Sequence, residues 1–399
     1  MPETTASSAT ENASSSGFGN ASAAVVLLDT DGFTLDRRGR FLRACLKKPH
    51  LVLSTSHVNG GQSEGIRYLV NHQSCEGKGH QGRHDSLEAE GQAGYHRTAC
   101  DEAGTPPEAT ALMGTAANMQ YAAVREERFQ ETRVWAVATA GVQGNAGRAG
   151  DPATWDESGG AWKPVHALPG TINTLLIFDC PLLPAALARA VATMTEAKTA
   201  ALLDLAIPSR YSPTLATGTG TDQFCLAAPI DASVPPRTWT GKHSKLGEIL
   251  ARAVTEAIKE ALRWQNGMEP SRTRNLIHAL GRFGIDEARL SADAGALLPE
   301  KDRALLLANF TAVLHEPQAA AAAYALAAVQ DRIAQGTLPP AAGGEALANQ
   351  AALLAAALAS RTEAWPAFRA ELLAAGGEDL PLPSLISHAV ALGWREKWK

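Results

Sequence analysis

From residue 24 to about residue 265, short apolar runs alternate with longer stretches of helical period. The runs "AAVVLLD", "HLVLSTS", "VWAVATAG", "INTLLIFD" and "QFCLAAP" are brief and mostly β-branched or aromatic. Each is bounded by Gly, Pro, Asn or Asp and predicts a strand. "PAALARAVATMTEAKTAALLDL" and "KLGEILARAVTEAIKEALRW" set apolar residues three and four apart among strong helix formers and predict helices. The alternation gives an α/β or α+β class, a layered sheet-and-helix domain over residues 23–266. Past Gly267 no strand-like run survives, and Ala and Leu dominate to Lys399. Pro and Gly breaks at "GTLPPAAGG" and "AAGGEDLPLP" divide residues 267–399 into what reads as an all-α accessory domain.

Residues 1–22 are rich in Ser, Thr and Ala, with no basic or apolar signal region, and are expected to form a disordered tail rather than a secretory leader. No stretch reaches the ~20 apolar residues that a membrane helix needs. A net charge of −5 gives no electrostatic reason to expect nucleic acid or an anionic membrane. Five cysteines without framework spacing suit a reducing compartment, so the expectation is a cytoplasmic protein that binds a small molecule and forms, at most, homo-oligomers.

The chemistry concentrates in turns. "STSHVNGG", "MGTAANM", "TAGVQGNAGRAGD", "PGTINT" and "ATGTGTD" all combine Gly with Thr or Asn. Gly lets backbone N–H groups approach a ligand, and Thr and Asn supply uncharged donors and acceptors. These turns nominate Thr55, Asn59, Gly60, Gly61, Asn118, Thr139, Asn145, Thr171, Asn173, Thr217, Thr219 and Thr221 as binding residues for a large, neutral, amide-rich molecule. Neither a Walker pattern nor a dinucleotide fingerprint is present. "LVLSTSHVNGG" and "WAVATAGVQGN" also echo one another at an offset of 84, matching Thr55 with Thr139 and Gly60 with Gly144. The echo is either coincidence among small residues or a trace of duplication; in both cases two strand ends deliver similar groups.

On the helix from Pro184, a 100° step places Lys198 within the stripe formed by Leu187, Val191, Met194, Ala201 and Leu205, with Glu196 on the opposite side. A buried ammonium needs a partner unless it snorkels to the layer's edge, and Asp222 is the natural candidate. The stretch "NHQSCEGKGHQGRHD" offers His72, Cys75, His80, His84 and Asp85, but the spacing fits no structural zinc pattern, so a Gly-rich loop is expected and no metal is assigned. His57 and His243 each stand beside a Gly-containing turn or a helix start, where a proton donor or an ordinary cap would both fit.

Taken in order, "STSHVNGG", "TAGVQGNAGRAGDP", "GTINTLLIFD", "TEAKTAALLDL", "SPTLATGTGTD" and "GKHSKLGEILARAV" resemble the adenosylcobinamide amidohydrolase (CbiZ) family over residues 24–265. The resemblance implies hydrolysis of the amide joining aminopropanol to adenosylcobinamide, giving adenosylcobyric acid for corrinoid salvage. The cobalt corrinoid is then substrate, and no cofactor is assigned. The expected roles are Asp222 as the base or orienting group for water and Lys198 as its tuning partner or oxyanion donor. His57 or His243 would protonate the departing amine, and Glu196 joins the turn residues at the substrate. Two alternatives remain: a non-catalytic corrinoid-binding or trafficking protein, and a self-processing hydrolase with a threonine nucleophile.

Overall fold

The computed structural model describes residues 23–76, 82–153, 155–156, 163–164 and 170–399. The expected tail (1–22), His80 and Pro169 lie outside the described residues, as do the side chains of His84 and Asp85.

The chain builds β1 (Val25–Asp29), β2 (Phe33–Arg38), β3 (Phe41–Leu46), β4 (His50–Ser54), β5 (Gly61–Ser63) and β6 (Tyr68–Gln73), then helix α1 (Gly82–Ala103). β7 (Thr110–Thr115), β8 (Ala123–Phe129), β9 (Thr132–Ala140), β10 (Ala146–Gly147), β11 (Trp155–Asp156) and β12 (Lys163–Pro164) follow. After these come β13 (Ile172–Phe178), α2 (Pro184–Asp204), β14 (Gly218–Thr219), β15 (Gln223–Pro229) and α3 (Lys245–Asn266). One sheet has the order β1-β2-β3-β6-β7 and the other β5-β4-β15-β13-β9-β8. The second is antiparallel except for its central parallel pair, β13 and β15.

Side-chain alternation along β13 sets the layers. Ile172, Leu176 and Phe178 pack with α2 and α3 residues such as Leu187, Met194, Leu250 and Ile258. Leu175 and Ile177 point the other way, into a core shared with Leu35, Leu42, Leu69 and Met113 of the first sheet. Helix α1 covers that sheet's outer face through Tyr95, Ala99 and Ala103. The result is four layers: helix, sheet, sheet, helices. Cys225 and Cys180 are buried within it, and burial pushes their thiols up to about 12 and about 11.

Two expectations change here. His72 does not sit in a Gly-rich loop: it lies in β6, stacked on Phe41 at 4.3 Å, with Nδ1 2.9 Å from the Tyr95 hydroxyl. The last four residues of the stretch, 82–85, begin α1, and residues 77–81 lie outside the described residues. Among the described residues no three His, Cys, Asp or Glu side chains gather as a metal site.

The C-terminal region is all helix: α4 (Pro270–Thr273), α5 (Leu276–Leu280), α6 (Glu287–Ala296), α7 (Glu300–Ala308), α8 (Phe310–Leu314), α9 (Pro317–Ala334), α10 (Pro340–Ala359), α11 (Trp365–Ala374) and α12 (Leu382–Glu396). It has its own apolar core, from Leu276 to Trp394. His278 joins it to the sheet domain, its Nε2 2.9 Å from the carbonyl of Leu205 at the end of α2. Burial holds His278 below the ordinary imidazole value, assisted by the charge of Arg272. An unfolded histidine binds a proton near pH 6.5, so the unfolded chain takes up protons first as pH falls, and stability drops below that value. Wild-type protein is expected to lose more thermal stability between pH 7.5 and 5.5 than the His278→Gln variant; equal losses would rule out this linkage.

Candidate functional site

Sheet order explains why the turns meet. β4 and β9 run antiparallel to the central β15–β13 pair, so their C-terminal ends share one edge with the N-terminal ends of β13 and β15. The two echoing segments end at this edge. The short β10–β14 pair ties the 141–151 turn to the 216–222 turn, and the Gly141 N–H donates to the carbonyl of Thr171. Thr55 joins through its hydroxyl and its N–H, both bonded to Phe224. Gly114 joins by donating to Gln223 Oε1 at 3.0 Å.

At the centre, Lys198 Nζ lies 2.5 Å from Asp222 Oδ2, with the two side chains 17% and 15% exposed. Lys198 sits at the margin of the buried stripe of α2, which runs through Leu187, Ala190, Met194, Ala197 and Ala201. Asp222 accepts three further bonds: Ile172 N–H (3.0 Å) and Thr219 hydroxyl (2.5 Å) on Oδ1, and Thr219 N–H (3.0 Å) on Oδ2. A carboxylate has about four acceptor positions, so this one is full.

The glycines of "ATGTGTDQF" follow from this crowding. A Cβ on Gly218 would come within 2.6 Å of Asp222 Oδ2 and 3.0 Å of Lys198 Nζ. One on Gly220 would press on the Asn145 amide at 3.2 Å, and one on Gly170 would meet Asn145 Cβ at 2.9 Å. Buried Asn145 is the hub of the neighbouring network. Its Nδ2 donates to the Gly170 carbonyl (3.0 Å) and to Thr221 Oγ1 (3.4 Å), and its Oδ1 accepts from the Tyr211 hydroxyl at 2.5 Å. The hydroxyls of Thr171 and Thr221 are also bonded to each other. Thr217 Oγ1 accepts from the Ala149 N–H, and its carbonyl accepts from Thr199. Behind Tyr211, burial works to raise the Asp151 carboxyl, but hydroxyls of Ser209 and Ser212 and the Arg148 N–H outweigh it and hold the group below the usual range.

A second polar layer closes the inter-sheet core at the same edge. Asn71 donates to Thr139 Oγ1 (2.8 Å) and accepts from Asn173 Nδ2 (2.8 Å), which also donates to the Gly114 carbonyl (3.1 Å). Asn173 Oδ1 is buried without a partner among the described residues.

The other candidates fall elsewhere. His243 is exposed and away from the cluster: Thr255 of α3 is bonded to Ala197 of α2, and Lys245 begins the helix ten residues earlier, about 15 Å along its axis. Glu196 faces solvent and pairs with Lys242 at 2.9 Å, both side chains being more than half exposed. Asn59 engages both amide donors on the carbonyls of Pro107 and Thr110, and it adopts the left-handed region at φ 58°. Gly60 packs against Ser56, where a Cβ would fall 2.0 Å from a carbonyl oxygen, and Gly61 begins β5. Asn118 caps a short turn by accepting from the Gln120 N–H. His57 is exposed in the loop just past Thr55. Sequence reasoning missed Asn71, Tyr211 and Gln223; a polar residue inside the apolar run "YLVNHQ" and a glutamine directly after Asp222 were the available signals.

An α/β protein whose polar turns converge on a locked ammonium–carboxylate pair belongs with enzymes and binders of polar small molecules. The comparison with known families is specific. The family model of the adenosylcobinamide amidohydrolases, CbiZ, matches residues 29–270, and the chain belongs to that family. It is also 40% identical over 172 residues to the uncharacterized protein MJ1613 of Methanocaldococcus jannaschii, spanning 41% of this chain and 66% of that protein.

Proposed function

We propose that this chain hydrolyses the aminopropanol amide of adenosylcobinamide, releasing adenosylcobyric acid and the amino alcohol. The observation that carries the proposal is the Lys198–Asp222 pair, held among uncharged Thr, Asn and Gly turns inside the span that matches the family. A corrin is a broad disc fringed with carboxamides, so the Thr and Asn turns offer matching hydrogen bonds without charge. Hydrolysis of an unactivated amide needs stabilisation of the oxyanion that forms on its carbonyl. An ammonium has three donors, and Lys198 bonds Asp222 with one, which leaves donors for the carbonyl oxygen of a bound amide. Asp222 fixes that ammonium and the 219–222 turn, and it is the carboxylate that handles the protons of the reaction.

Purified protein incubated with adenosylcobinamide, with and without a chelator, is expected to yield adenosylcobyric acid and aminopropanol by chromatography. Saturable binding of the corrinoid with no acid formed would overturn hydrolysis in favour of a binding or trafficking role. No helix among the described residues is long and apolar enough to cross a membrane.

A further inference from the structure

The four donors on Asp222 differ in what they can give up. Those of Ile172 and Thr219 N–H are backbone amides and keep their protons. The other two are the Lys198 ammonium and the Thr219 hydroxyl, each at 2.5 Å. Water approaching this carboxylate as a proton donor would have to displace one of these bonds. An ammonium clamped on a carboxylate has no lone pair with which to attack carbon. The Thr219 hydroxyl does: its proton points at Asp222, one lone pair takes a long bond from the Thr221 N–H (3.4 Å), and the second remains. Thr219 is only half-buried, and its neighbours Gly218 and Gly220 bring no side chain against the oxygen.

We propose that Thr219 is the nucleophile of amide cleavage and that hydrolysis passes through a threonyl ester; the step rests on the amide hydrolysis proposed above. Thr219 Oγ1 bonds to the amide carbon as its proton moves to Asp222 Oδ1, while the Lys198 ammonium stabilises the oxyanion. The C–N bond breaks, and nitrogen leaves as the free amine with the proton that Asp222 took. Water then adds to the ester carbon as one of its protons moves to Asp222 Oδ1, which the acylated Thr219 no longer occupies; the C–Oγ1 bond breaks, and Oγ1 takes that proton back, restoring the hydroxyl. The sum is amide plus water giving acid plus amine. The step calls for no chain cleavage, because the base is the Asp222 carboxylate rather than a free amino terminus of Thr219.

The test uses the full chain and adenosylcobinamide with added hydroxylamine. A shared ester predicts a hydroxamate alongside adenosylcobyric acid, in a ratio unchanged when aminopropanol is replaced by another amino alcohol. Acid-quenched protein should carry the corrinoid acyl group on the peptide containing Thr219. Thr219→Ser is expected to retain the adduct and measurable turnover, and Thr219→Ala to lose both, by about 100-fold or more in rate. A product ratio that follows the leaving amine, or a folded Thr219→Ala protein keeping more than about a tenth of the rate, would overturn the nucleophile while leaving amide hydrolysis intact. Wild-type protein that forms no acid at all would remove the hydrolysis proposal, and this one with it.

Discussion

Replacing Lys198 by Ala is expected to lower kcat on adenosylcobinamide by roughly 100- to 1000-fold, with a much smaller change in KM. The reason is differential: a carbonyl in the bound substrate carries little charge, whereas the oxyanion formed from it interacts fully with an ammonium nearby. Asp222→Asn should cost at least as much, for a different reason. Oδ1 faces the Ile172 N–H and the Thr219 hydroxyl, and Oδ2 faces the Lys198 ammonium and the Thr219 N–H. Either orientation of an Asn amide sets its NH2 against donors and leaves a proton acceptor missing. Lys198 and Asp222 act as a unit, so the double variant should be little worse than Asp222→Asn alone. Steady-state kinetics on all three, with thermal melts to confirm folding, measures this. Folded single variants that both keep rates within about threefold of wild type would show that the reaction occurs elsewhere.

The central layers were legible because buried strands and amphipathic helices impose period on sequence. β13, β15, α2 and α3 fall on the predicted runs with shifts of a residue or two. β2 and β3 escaped because their charges pair across the sheet: Asp36 stands opposite Arg43 and accepts from it at 2.9 and 3.0 Å, so a strand face reads as polar. Helix α1 was masked by its glycines: Gly91, at φ 67° and ψ −179°, is non-helical and splits it into two shorter helices, and the others depress helical propensity. Within the site, the period of α2 marked Lys198, and the density of Gly and Thr marked the 216–222 turn. What no periodicity reveals is the state of Asp222. Its bond from Ile172 spans 50 residues and depends on a backbone N–H, which has no signature in residue identity. That filled carboxylate separates a group that receives a proton from water from one already committed to Thr219. His243 is the opposite case: it lies exposed before α3, and a helix start near conspicuous glycines says nothing of which part of the helix faces the Lys198–Asp222 cluster.

Arg282→Met is expected to destabilise the protein by about 3 kcal/mol, the scale for removing one partner of a buried ion pair. The Arg282 side chain is 4% exposed and forks onto Asp331 at 2.5 and 2.7 Å. Its Nη1 also donates to the Pro213 carbonyl at 2.7 Å, crossing from the helical region to the segment that carries Tyr211. Removing the guanidinium leaves the Asp331 carboxylate, itself largely covered, without its counter-charge. Most of the loss is this uncompensated charge rather than the bond itself, which gives a distinctive result: Arg282→Met with Asp331→Leu should recover most of the stability lost in the single variant. Urea unfolding of wild type, both singles and the double supplies the cycle. Additive losses would mean that the pair is solvated, and that the clamp between the helical region and Pro213 rests on apolar packing instead.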